Sequence, residues 1–159
     1  MNTATFDIDV DIARHDENWP NHVDGLVRIA VETAIDCARP HIEGPVELSV
    51  LLTNDMEQQV LNKTWRGKDA PTNVLSFPQI EPFEPLDGMM GDISLALETV
   101  RREALAEDKP FDHHFMHLVV HGFLHLLGYD HITEEEAAVM EGLETRILAR
   151  LGIADPYDR

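Results

Sequence analysis

One run of residues, HGFLHLLGYDH at 121–131, constrains this chain more than any other feature. His121 and His125 are four residues apart, so their imidazoles lie on the same face of a helix. Gly128 can end that helix, and His131 follows on the turn. Three neutral imidazoles that converge in this way form a facial site for a transition metal. Because catalytic zinc uses three protein ligands and keeps its fourth position for water, the run predicts an enzyme with one divalent metal, Zn²⁺, on these histidines.

The helix that carries the motif is apolar on almost every side. Nearly every residue from 115 to 127 except the histidines is apolar, which is typical of a buried helix. His117, His121 and His125 form one polar stripe on it, with His114 one turn earlier. If there were only one histidine, the favoured interpretation would be a core residue that is hydrogen-bonded to a carbonyl or carboxylate, since an unpartnered buried polar group costs roughly 1–3 kcal/mol. A stripe that ends in GYDH favours a metal site, and His117 is left outside the ligand set, as a partner that supports a ligand or as a residue of the helix face.

Position 122 decides which metal chemistry the motif supports. The histidine spacing matches the zinc-peptidase motif HExxHxxGxxH, whose glutamate is the general base. Gly122 stands at that position, so the chain has the ligands without the base. This argues against ordinary peptidase chemistry, because the metal alone must activate water or another group must help. Asp130 could orient an imidazole through a hydrogen bond, and a simple turn residue explains it equally well.

The composition limits the partners of the chain. With 159 residues and 43% hydrophobic content, we expect one domain over residues 1–159. The balance of 12 basic to 30 acidic residues gives a net charge of −18, which opposes non-specific binding to nucleic acid. No apolar run of about 18 residues predicts a membrane helix, and the first residues lack the basic and apolar regions of a signal peptide. With a single cysteine, these features predict a cytoplasmic protein without a membrane partner.

A short basic segment stands out against this negative charge. Lys63, Arg66 and Lys68 are opposed only by Asp69. Cations are favourable near a helix C-terminus, which accounts for the two lysines. The planar fork of Arg66 suits a phosphate, so we select it as the candidate catalytic residue. Ser76, at the end of a short predicted strand, either lines the cleft or is a structural hydroxyl.

The periodicity of apolar residues predicts an α/β (α+β) fold. Strands are predicted at 6–12, 46–52, 72–77 and 92–95, and helices at 20–39, 54–65, 98–107, 115–127 and 133–151. Asn54 and Thr133 are predicted N-caps, since each has a glutamate three residues on. The Pro- and Gly-rich residues 79–91 are predicted as a loop. Together these elements predict a single domain with a small mixed four-stranded sheet flanked by about five helices.

Several of these stretches resemble the YbeY family of bacterial endoribonucleases and ribosomal RNA maturation factors. The resemblance rests on HGFLHLLGYDH, on LNKTWRGKDAP followed by TNVLSFP, on GDISLA at 91–96 and on MEGLETRIL at 140–148. It covers about residues 46–152, whereas the first 45 residues match only in length and pattern. One departure is Asn73, where the family's commoner TDVLSF has an aspartate; the amide keeps a hydrogen bond and loses the charge.

The resemblance implies a fold, an activity and a role. The fold has a small central sheet with surrounding helices, and a metal, zinc, on His121, His125 and His131. Arg66 falls at the family's functional arginine, implicated in RNA cleavage. The implied activity is hydrolysis of single-stranded RNA, in 3′-end maturation of small-subunit (16S) ribosomal RNA and in ribosome quality control. The implied partners are ribosomal RNA and the small ribosomal subunit or a ribosomal protein.

Three hypotheses for function stay open at the level of sequence. The first is a metal-dependent endoribonuclease, in which RNA can offer its own 2′-OH as the nucleophile, so that a missing carboxylate base is less damaging than in a peptidase. The second is another zinc-dependent hydrolase, whose peptidase version Gly122 opposes. The third is a ribosome-assembly factor with a structural metal, which is disfavoured because structural zinc is usually closed by four ligands, often cysteines.

Overall fold

A four-stranded mixed sheet covered by helices forms the body of the protein. The computed structural model describes residues 8–157, which form four strands and five helices in the order β1 Ile8–Arg14, α1 Val23–Ala38, β2 Ile42–Thr53, α2 Asp55–Arg66, β3 Val74–Pro78, β4 Leu86–Ala96, α3 Leu97–Ala106, α4 Phe111–Leu127 and α5 Glu134–Arg150. The predicted fold class, sheet size and number of helices are confirmed. Within residues 8–157 no helix is both long and apolar enough to cross a bilayer.

The strand order places the short strand β3 at one edge of the sheet. The order is β1-β2-β4-β3, with β1 and β4 parallel to β2 and with β3 antiparallel to β4. Alternation along β2 buries Val46, Leu48, Val50 and Leu52 in the core. Within residues 8–157, β3 pairs with β4 alone, and the face that these two strands share contacts α4, the helix that carries the histidines.

Helix α4 lies at the centre of the packing. It contacts β3 and β4 as well as α1, α3 and α5. Eleven of its residues are buried, including Phe115, Phe123 and Leu124. Gly122 faces the sheet, because a Cβ built there would lie 3.2 Å from both Ile93 Cγ2 and Ser76 Oγ. The predicted burial of this helix is confirmed, and its polar stripe is left facing the one side that the core does not cover.

Several predicted element boundaries are wrong: α1 begins at Val23 rather than at residue 20, α4 begins at Phe111 rather than at residue 115, and the largest errors lie in β2 and β4. Residues 86–91 belong to β4, although residues 79–91 were predicted as a loop, and β2 begins at Ile42 rather than at residue 46. The two segments pair with each other through register shifts, so tertiary pairing overrides the local Gly and Pro signals. Gly91 is needed in this strand because a Cβ there would lie 2.6 Å from the carbonyl oxygen of Phe77. Residues 6 and 7 of the first predicted strand lie outside the described residues.

Three of the predicted helix ends are confirmed: the N-caps Asn54 and Thr133 and the end of α4 at Gly128. The Asn54 side chain accepts a hydrogen bond from the Glu57 amide at 2.9 Å, and Thr133 and Glu136 form a reciprocal capping box. Gly128 ends α4 with a φ of 120°, a conformation that side-chain-bearing residues rarely adopt. A Cβ at Gly128 would also lie 2.8 Å from the backbone of Pro82 and Phe83. This turn therefore sets the direction in which the chain continues toward His131.

We expect Gly128→Ala to lower the free energy of unfolding by about 2–3 kcal/mol, from backbone strain together with displacement of the contacting loop. Chemical denaturation of both proteins measures the change. The matched control is Gly142→Ala within α5, where a Cβ would meet nothing within 4 Å. That substitution should stabilise the protein by about 0.5–1 kcal/mol through helix propensity. Equal stability of Gly128→Ala and the wild type would contradict the strained turn.

Candidate functional site

Three histidines converge at one side of α4. One ring nitrogen from each of His121, His125 and His131 can be chosen so that all three lie within 4.8 Å of one another. The ring centroids are 4.6 Å apart for His121 and His125, 5.6 Å for His121 and His131, and 5.1 Å for His125 and His131. The first two rings are partly buried and His131 is exposed. The spacing-based prediction that these side chains meet is therefore confirmed, at a site open to solvent on one side.

Hydrogen bonds orient two of the rings. His125 Nδ1 lies 3.0 Å from the carbonyl oxygen of Tyr129, which can only accept, so the proton is on Nδ1 and Nε2 carries a lone pair. His121 Nδ1 lies 2.5 Å from Glu144 Oε2, with the same consequence for its Nε2. The two Nε2 atoms face each other at 3.1 Å. Tetrahedral zinc with bonds of about 2.0–2.1 Å sets its nitrogen ligands about 3.3 Å apart, so this donor set fits a metal ion.

The electrostatics of the site also favour a neutral imidazole at His125. Burial lowers the pKa of His125, and the neighbouring His121 and His131 lower it further. A lower pKa means that fewer protons compete with a cation for the ring nitrogen. His125 is therefore in its metal-binding form over a wider pH range than an exposed histidine.

Glu144 is the residue of the site that sequence reasoning missed. Its side chain, on α5, is fully buried and accepts hydrogen bonds from His121 Nδ1, from His117 Nε2 at 3.4 Å and from the Tyr157 hydroxyl. Burial by itself raises the pKa of Glu144, but the bonds from His117 and His121 outweigh it and hold the pKa at about 2. A carboxylate on the same apolar face as Met140 and Ile147 was the signal that could have revealed it.

His117 and Asp130, the two residues predicted to support the ligands, have different contacts in the structure. His117 is hydrogen-bonded to Glu144 and lies edge-on to the His121 ring at a centroid distance of 6.3 Å, and its Nδ1 is buried without a partner among residues 8–157. Asp130 accepts a hydrogen bond from the backbone amide of His131 at 2.8 Å and makes none to an imidazole. Its geometry is thus that of the turn residue.

A cleft of about 710 Å³ opens over the histidines. Arg66 lines it from the last turn of α2, with Lys68 and Lys109. The Arg66 side chain is exposed and makes no ion pair within residues 8–157, whereas Lys109 lies 2.9 Å from Glu107. Lys63 lies outside the cleft lining and 3.8 Å from Asp69. The structure therefore brings Arg66 and the histidines to one cleft, although they are far apart in sequence.

Ser76 and Asn73 hold the floor of this cleft. The Ser76 hydroxyl donates to the Gly122 carbonyl at 3.2 Å, which ties β3 to α4, so Ser76 both lines the cleft and is structural. Asn73 accepts from the Val74 amide and donates to Glu103 Oε1 at 2.9 Å. An ionised aspartate at position 73 would place two carboxylates together, so the amide suits this chain's Glu103.

The fold and this cleft define a class: a small α/β protein whose central helix presents three histidines, fitted to a metal ion, beneath a rim of arginine and lysine. The model of the family Endoribonuclease YbeY matches residues 11–152, so the chain belongs to the YbeY family.

Relatives span nearly the whole chain. An endoribonuclease YbeY from Allorhizobium ampelinum is 49% identical over 94% of this chain and 95% of its own length. The endoribonuclease YbeY of Nitrobacter hamburgensis is 55% identical over 84% of this chain and 73% of its own. The solution structure of a Thermotoga maritima protein shares the fold, with a TM-score of 0.57 and 23% identity over 94% of this chain and 99% of that one.

Proposed function

We propose that this protein is a metal-dependent endoribonuclease that hydrolyses single-stranded RNA. The observation that carries the proposal is the meeting of three histidines and Arg66 in one cleft of a YbeY-family chain. The relatives from Allorhizobium ampelinum and Nitrobacter hamburgensis are named endoribonucleases, which supports RNA as the substrate. The open side of the histidine site supports a catalytic ion rather than a closed structural one.

The histidines and Arg66 would have different roles in the reaction. His121, His125 and His131 would hold one divalent ion, with zinc preferred because the set contains imidazoles and no carboxylate. When bound, such an ion polarises a phosphate oxygen or lowers the pKa of water. The Arg66 guanidinium is free to pair with a phosphate and to stabilise the charge that grows on it during cleavage.

The acidic residues of the cleft are already engaged. The Glu103 carboxylate accepts hydrogen bonds from the His114 ring and from the Asn73 amide, and Glu107 forms an ion pair with Lys109. Asp130 also lines the cleft and accepts from the His131 backbone amide, and position 122, where the peptidase motif has its base, is a glycine that faces the sheet. RNA supplies its own 2′-OH close to the scissile phosphate, so the geometry favours RNA over a peptide.

We further propose the 3′ end of 16S ribosomal RNA in the cytoplasm as the natural target, with the small ribosomal subunit or a ribosomal protein as presenting partner. The family of the chain supports this target. The charge balance supports the need for a partner: a chain at −18 repels bulk polyanion, while the cleft offers only a few cations.

The first prediction concerns the metal. Purified protein should contain about one zinc ion per chain, and His121→Ala should lose both the zinc and RNA cleavage, because two imidazoles hold zinc much more weakly than three. The control is His113→Ala on the same helix, outside the cleft lining, which should keep both. Elemental analysis and cleavage of a single-stranded RNA measure the two properties.

Full cleavage by zinc-depleted wild-type protein would contradict the catalytic metal. Zinc without cleavage of any RNA would favour the structural-metal or other-hydrolase hypothesis. Wild-type-level cleavage by His121→Ala that stays constant through every purification step would contradict the role of the histidine site, whereas cleavage that falls with each step would come from a contaminating nuclease.

A second prediction concerns Arg66. We expect Arg66→Ala to lower RNA cleavage by about 10²- to 10³-fold, the size of effect seen when one charge-stabilising donor is removed. Zinc content and thermal stability should stay unchanged, since the side chain is exposed. Arg66→Lys should recover little, because an ammonium cannot copy the bidentate fork. The matched control is Lys63→Ala, which removes one cation of α2 outside the cleft lining.

A third prediction concerns RNA affinity. Each neutralised phosphate contributes about 0.7 to the salt slope on single strands. Two to four contacts should therefore give a slope of only about −1.5 to −3 for His121→Ala protein on single-stranded RNA. Fluorescence anisotropy across a salt series measures it. Nanomolar affinity with a slope steeper than about −5 would require an extended basic surface and would remove the need for a presenting partner.

A further inference from the structure

The Glu144 carboxylate is the only charged side chain that residues 8–157 bury completely. It sits on α5 among Met140, Leu143, Ile147 and Leu148, all of which belong to the apolar core. A carboxylate in such a place destabilises a fold unless every lone pair finds a donor. Here both oxygens of the carboxylate accept hydrogen bonds, so these bonds offset the cost of burying its charge.

One of these donors belongs to the histidine site. Glu144 Oε2 receives His121 Nδ1 at 2.5 Å, on the side of the ring opposite to the nitrogen that faces His125. A carboxylate at this point fixes the tautomer and the rotation of the ring, and it leaves the lone pair on the far nitrogen. The bond therefore acts on the atom that would bind the metal.

The other oxygen is covered by the segment that follows α5. Tyr157 donates its hydroxyl to Glu144 Oε1, and its ring packs edge-on against His117 at a centroid distance of 5.9 Å. Asp155 holds this segment in place, since its Oδ1 accepts from the Thr145 hydroxyl of α5 at 3.2 Å and from the Tyr157 amide at 2.8 Å. Residues 151–157 thus return over the helix and place the tyrosine at the edge of the cleft.

We propose that Glu144 is the positioning residue of His121 and that Tyr157 completes the metal site by covering the carboxylate. The inference rests on the proposed function in one respect, that the three histidines bind a metal. According to this inference, residues 151–157 contribute to metal affinity although none of the three histidines lies in that segment.

The test is a zinc-affinity titration against a chelating dye of known affinity. Glu144→Gln should weaken zinc binding by about 10- to 100-fold, the range found for residues that orient metal-binding histidines. Tyr157→Phe keeps the ring against His117 and removes only the hydroxyl, so it should weaken binding by a smaller factor, roughly two- to tenfold. The control is Glu135→Gln, which removes one exposed charge from the same helix and should leave affinity unchanged.

A second readout separates positioning from folding. In zinc-free protein, nitrogen-15 spectra of the imidazoles should show His121 protonated on Nδ1, and Glu144→Gln should shift it toward a mixture of tautomers. Thermal unfolding of each variant shows whether it is folded; should Glu144→Gln fail to fold, Tyr157→Phe carries the comparison.

The outcomes distinguish this inference from the function on which it rests. A wild type that binds no zinc would overturn the metal site, while the tautomer measurement would still test the positioning. A wild type that binds zinc, with folded Glu144→Gln and Tyr157→Phe binding it equally well and with unchanged His121 spectra, would overturn the positioning role alone.

Discussion

The burial of α4 is the constraint on which the rest of the structure depends. The helix lies against the sheet and is surrounded by α1, α3 and α5, so nearly all of its surface is covered. Close approach to the sheet requires a residue without a side chain at Gly122. Because the Gly122 face of the helix packs against the sheet, the histidine stripe points toward the cleft. The same contact that stabilises the core therefore aims the imidazoles.

Buried polar contacts then turn this direction into a defined geometry. The Glu144 carboxylate accepts a hydrogen bond from His121 Nδ1, and the Tyr129 carbonyl accepts one from His125 Nδ1. The Nε2 lone pairs of the two histidines are therefore left facing each other. Neither partner is a candidate ligand of the ion. The chemistry proposed for the site thus depends on side chains and backbone that surround the imidazoles, and these come from the loop after α4 and from the next helix.

Parts of the fold were predictable because their causes are local. The caps at Asn54 and Thr133 and the end of α4 at Gly128 depend on neighbouring residues, and each was predicted correctly. The start of β4 was not, because the Gly- and Pro-rich residues 86–91 become a strand only through pairing with β2. Local signals for a loop were overruled by hydrogen bonds between segments that are about forty residues apart in the chain.

The sequence by itself determined which three histidines meet, since a spacing of four places His121 and His125 on one face of a helix and the glycine turn brings His131 back beside them. Membership of the YbeY family was likewise readable from motifs. Only the tertiary structure decided which groups support that site. Glu144 reaches His121 from α5, Tyr157 covers that carboxylate, and Arg66, already a candidate from the sequence, lines the same cleft from α2, all through contacts between residues distant in the chain. No spacing rule describes such contacts, because they depend on how helices and strands pack rather than on the geometry within one of them.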